Sequence, residues 1–78
     1  MVPSALVPES GPQKRSLTIA GHRTSISLEE SFWNALREIA RRQQRSIPQI
    51  VAEIDSKRGG TGLSSAVRTF ILKAQTNS

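Results

Sequence analysis

Arg23, Ser25 and Ser27 stand at alternate positions of the run RTSISL, so in an extended chain they share one face while Thr24, Ile26 and Leu28 share the other. A guanidinium fork and two small hydroxyls are donors and acceptors suited to recognising hydrogen-bonding edges. Catalysis has little to build on. His22 is the only histidine, and a Ser/His pair without a placed third member is weak support for nucleophilic chemistry. Glu29, Glu30, Glu38, Glu53 and Asp55 sit where helix polar faces and dipoles account for them. The RGGTG stretch at 58–62 follows no strand and lacks the Gly-Lys-Ser/Thr ending of a phosphate-binding loop. Absence of cysteine removes disulfides and thiolate metal sites, and is compatible with a reducing cytoplasm. The chain is read as no enzyme, with no cofactor and no metal.

Eleven Lys/Arg against six Asp/Glu give a net charge of +5 and a pI near 11.2, a balance that attracts polyanions, nucleic acid first among them. The 78 residues allow one small domain, which buries too little of its surface to be comfortably stable alone, so a partner chain is expected. No apolar run approaches the roughly 20 residues of a membrane span, and the opening MVPSALVPESGP has no charged region followed by an apolar one. A soluble, unexported protein is expected, with no membrane partner.

The elements follow from periodicity. Residues 1–13 hold three of the four prolines and no pattern, and are read as a flexible N-terminal arm; the domain proper is 14–76. An extended stretch covers about 16–28. SLEE matches a capping box, with Ser27 capping and Glu30 three residues into the first turn. Phe32, Trp33, Leu36, Ile39 and Ala40 then mark a helix over about 29–43, whose polar face carries Arg37 and Arg41. Ser46, Pro48 and Gln49 open a second helix over about 46–57, striped by Ile47, Ile50, Val51 and Ile54. KRGGTG stops it, and Leu63, Ala66, Val67, Phe70, Ile71 and Ala74 mark a third over about 63–74. The fold class is mostly α with a short β ribbon. An antiparallel pair of such strands fits the roughly 12 Å major groove of DNA. The pairing strand must come from a second subunit or from the arm.

RTSISLEESFWNALREIARRQQRSIPQIVAEI resembles the ribbon-helix-helix family of bacterial repressors, the Arc/MetJ-like group. KRSLTIAGHRTS before it and LSSAVRTFIL after it resemble an extended bacterial subfamily with an extra C-terminal helix. The resemblance implies an intertwined homodimer whose strands pair into a ribbon lying in the major groove of a palindromic operator. It implies base contacts from Arg23, Ser25 and Ser27, though Ser27 is also wanted as a helix cap. Phosphate contacts are implied for Ser46 and Ile47 at the second helix start, assisted by Arg45. Lys14 and Arg15, the basic end of the arm, are expected on phosphate too, following the backbone or entering a minor groove as basic arms do. A dimer core of Ile26, Leu28, Trp33, Leu36, Ile50 and Ile54 is assigned on the same basis. The partners expected are double-stranded DNA and a second copy of the chain, in the bacterial cytoplasm on the nucleoid. A protein partner, as for an antitoxin or adaptor, and higher-order assembly on DNA stay open, and a helix-turn-helix using Arg68 is the rival fold.

One feature of the extended stretch needs an explanation. Leu17 and Ile19 lie on the opposite face from Ile26 and Leu28 in a straight strand, so the chain must change face near Gly21. A Gly21-His22 hairpin loop would pair Ile19 with Thr24 and Leu17 with Ile26. A kink that sends 15–20 across to a second subunit is preferred, because the family's ribbon needs strand 23–28 to pair about a two-fold axis.

Overall fold

A computed structural model describes residues 11–76. Two strands, β1 (Gln13–Ile19) and β2 (His22–Leu28), precede three helices, α1 (Glu30–Gln43), α2 (Ile47–Lys57) and α3 (Leu63–Thr76). The strands form one antiparallel sheet within the chain, so the preferred kink at Gly21 is replaced by a hairpin. Its register also differs from the Gly-His loop. Ile19 faces His22, Leu17 faces Thr24, Arg15 faces Ile26 and Gln13 faces Leu28.

The reason lies in the turn. Ala20 and Gly21 are its central residues and both have positive φ, 51° and 83°, the pattern of a type I′ turn, whose twist matches that of the flanking strands. A two-residue turn switches the face parity, so odd positions of β1 and even positions of β2 share the buried side. A strand also has two edges, and pairing β2 with β1 uses one of them. Ala20 is poorly suited to its place, because a left-handed backbone crowds Cβ against the carbonyl oxygen at a cost of about 1–2 kcal/mol. Ala20→Asn should therefore stabilise the chain by about 1 kcal/mol, seen as a higher denaturant midpoint at unchanged slope.

β1 begins at Gln13, inside the segment assigned to the arm. The indole Nε1–H of Trp33 donates to the Gln13 carbonyl at 2.9 Å and holds the strand start against α1. Gly11 and Pro12 precede β1 without regular structure, and residues 1–10 of the arm assignment lie outside the described residues.

Ser27 does not cap α1. The strand runs through it to Leu28, and Glu29 occupies the N-cap position without a side-chain cap bond, while its carbonyl accepts from Phe32 and Trp33. Pairing with β1 and contacts from α3 hold Ser27 extended, which outweighs one local cap. α1 ends at Gln44 with φ of 55°, where Arg45 N–H returns to the Ala40 carbonyl and Gln44 N–H to that of Arg41, a Schellman-type closure. α2 starts with the expected box: Ser46 Oγ accepts from Gln49 N–H, and Gln49 Oε1 accepts from Ser46 N–H.

The buried side of the sheet meets all three helices. Ile19, Ile26, Leu28, Trp33, Leu36, Ile39, Ala40, Ile50, Val51, Ile54, Val67 and Ile71 form one core, with no buried polar residue among those described. Val67 and Ile71 make α3 part of that core; Leu72, 55% exposed, is the large apolar side chain it leaves outside.

Candidate nucleic-acid interface

The hairpin's outer face is set by the same alternation that builds the core. With Ile19, Ile26 and Leu28 directed inward, the cross-strand pairs Lys14 with Ser27, Ser16 with Ser25, and Thr18 with Arg23 face outward. Every one is polar. Five of these are exposed and Ser27 is half-buried. Alternate residues of a strand lie about 6.8 Å apart, close to two base-pair steps of about 3.4 Å, and paired strands lie about 4.8 Å apart. The face therefore presents hydroxyls and two cations at a spacing commensurate with base edges, on a body narrower than the major groove.

Arg23, Ser25 and Ser27 lie together on this face, as their alternation requires. Lys14 joins them from β1. Arg15 does not: it lies on the helix side of the hairpin, its guanidinium 4.9 Å from the centre of the Trp33 ring. Ser16 and Thr18 were not singled out from the sequence, although the alternation KRSLTI, polar at 14, 16 and 18 against Leu17 and Ile19, carries the signal.

α3 braces one end of β2. Ser64 Oγ accepts from Ser27 N–H at 3.2 Å, and Arg68 donates to the Ser27 carbonyl at 3.3 Å and to Glu29 Oε1 at 3.0 Å, while its guanidinium lies 5.9 Å from the Phe32 ring centre. These partners are 37–41 residues apart, beyond any local pattern. Arg68 is thus occupied inside the fold, which removes the central residue of the helix-turn-helix rival.

The start of α2 is less open to an anion than its position suggests. The Ser46 N–H is taken by Gln49, Pro48 has none, and the Gln49 N–H is taken by Ser46 Oγ, leaving Ile47 as the first-turn donor. Arg45 hydrogen-bonds Glu53, the Gln49 carbonyl and Gln43. Arg37 and Arg41 pair with Glu30 and Glu38 on their own helix. Ile26, Leu28, Trp33, Leu36, Ile50 and Ile54 are buried within the single chain, beneath the hairpin and between the helices.

Hydrogen bonds from Arg68, and secondarily from its own backbone, hold the Glu29 carboxyl below its usual 4.5; Arg45, then Lys57, do the same for Glu53. A carboxyl whose folded value is depressed stabilises the fold above its ordinary value and loses that contribution as pH falls through the folded one. Thermal stability should therefore decline as pH drops below about 4.5, and the decline should be shallower in Arg68→Ala, as a melting series from pH 6 to pH 2 would record.

A family model described as a ribbon-helix-helix domain matches residues 12–75, nearly the whole described structure. The chain belongs to the ribbon-helix-helix family. No curated protein and no solved structure is matched. Ribbon-helix-helix domains are DNA-binding regulatory domains that generally bind DNA as dimers. In this ribbon-helix-helix chain two strands are already paired with each other, and a third helix completes the core. No helix among the described residues is long and apolar enough to cross a membrane.

Proposed function

We propose that the protein is a sequence-specific double-stranded DNA-binding regulator of transcription, a cytoplasmic bacterial repressor that occupies a palindromic operator as a homodimer. The observation that carries this is the all-polar outer face of the hairpin, set on a basic domain of a DNA-binding family. Its arrangement on DNA follows from the strand edges. β1 covers one edge of β2, and in an antiparallel pair every second residue directs its N–H and C=O to the opposite edge. The pair Ile19–His22 closes the turn, so Arg23, Ser25 and Ser27 direct theirs outward; Ser27 is taken by Ser64 and Arg68. The edge around Arg23 and Ser25 is where a second β2 fits, giving the order β1-β2-β2′-β1′ with both reader rows central. Arg23 takes guanine and Ser25 an adjacent base, Ser27 being a reader only where its hydroxyl turns outward. The six assigned core residues form the floor of this sheet.

Selection of bound duplexes from a random pool at two salt concentrations tests this reading. Recovery of an inverted repeat that survives the higher salt supports it. Binding that vanishes with salt and returns no motif overturns it, since that is the signature of charge alone.

A further inference from the structure

We propose that β1 is a phosphate-contacting strand: Lys14, Ser16 and Thr18 hold the sugar-phosphate backbone at the lips of the groove whose floor Arg23 and Ser25 read. This rests on the DNA-binding reading above; Lys14 was expected on phosphate from the sequence, and Ser16 and Thr18 are assigned here with it as one row. Lys14, Ser16 and Thr18 are exposed, on the same face as the reader row, and directly opposite Ser27, Ser25 and Arg23. They consist of one cation and two hydroxyls, the side-chain types that commonly bond phosphate oxygens.

Width decides which part of DNA they reach. In the order β1-β2-β2′-β1′ the two outer strands are three spacings apart, about 14 Å, against a major groove about 12 Å wide. The central pair enters; the outer pair meets the two backbones. Hydroxyls there fix register and depth without carrying sequence information. A second observation gives the row a task. The first turn of α2, the other candidate for phosphate, has its Ser46 and Gln49 amides closed by the capping box and Arg45 paired to Glu53. β1 has no such internal competitor on its outer face among the hydrogen bonds of the described side chains, and its residues lie on the reading face itself.

The test uses the full-length chain and its selected duplex. Ser16→Ala/Thr18→Ala should weaken binding to that duplex and to a scrambled one by the same factor, about ten- to thirtyfold, with the selected motif unchanged. Neutral methylphosphonate linkages at the groove lips should weaken the parent protein and have much less effect on the double variant. Ser16→Glu should weaken both duplexes further by placing a carboxylate against phosphate. Both positions are exposed, and circular dichroism checks that the hairpin persists. A changed base preference would overturn the assignment by making β1 a base reader, and unchanged affinity would overturn it by making β1 a mere scaffold. In either case the parent protein still selects a motif that Arg23→Ala loses, so the DNA-binding reading survives. Failure of the parent to select any motif would remove both.

Discussion

Trp33→Ala should destabilise the chain by about 3–5 kcal/mol, the usual range for deleting a large buried aromatic. For 78 residues the whole folding free energy is roughly 4–12 kcal/mol, so this one substitution removes a large fraction of it and should lower the denaturant midpoint steeply. The effect is larger than packing alone suggests. Trp33 is 1% exposed among core side chains, its Nε1–H holds the Gln13 carbonyl, and Arg15 lies over its outer ring face. One side chain thus fills the core, starts β1 and anchors it to α1. Trp33→Phe should keep most of the packing and lose the hydrogen bond, costing about 1–2 kcal/mol. A denaturant series on the three proteins checks this. Equal midpoints for the parent and Trp33→Ala would show that β1 is held by its pairing with β2 and by Ile19, without Trp33.

Arg23→Ala should weaken binding to the selected operator by about 1–3 kcal/mol, roughly 5- to 150-fold, while changing scrambled-duplex binding much less. Arg23 is exposed at the hairpin's turn end, opposite Thr18, and has no salt-bridge partner among the described residues. Its removal costs the fold little, which separates recognition from stability. Titrations on both duplexes at matched salt measure the ratio. Equal losses on the two would make Arg23 a backbone contact and leave Ser25 as the reader.

The helices were legible because periodicity and capping are local. Leu36, Ile39 and Ala40 announce α1, and Ser46 with Gln49 announces α2 through a box that forms as its residue types dictate. The face change at Gly21 was legible too; its resolution was not. Only the pairing of complete strands places Ala20, rather than His22, beside Gly21 in the two-residue turn. Ser27 failed for the opposite reason. Ser27 and Glu30 match a capping box in sequence, but Ser64 and Arg68 arrive from α3 and keep Ser27 in the strand. On the outer face, Arg23, Ser25 and Ser27 were readable from alternation, whereas Ser16 and Thr18 join them only once the hairpin register is known.

The α3 brace has a consequence for the order of folding. A hairpin with a two-residue turn closes in about 1–10 μs from neighbouring residues, whereas Ser64 and Arg68 must come from 37 and 41 residues away to reach Ser27. During synthesis the ribbon leaves the ribosome first, with the Ser27 end of β2 uncovered until the last helix follows. Nascent chains are thus most prone to add a foreign strand before α3 emerges. A chain truncated ahead of Leu63 would stay in that condition, with β2 open along its length and part of its core absent.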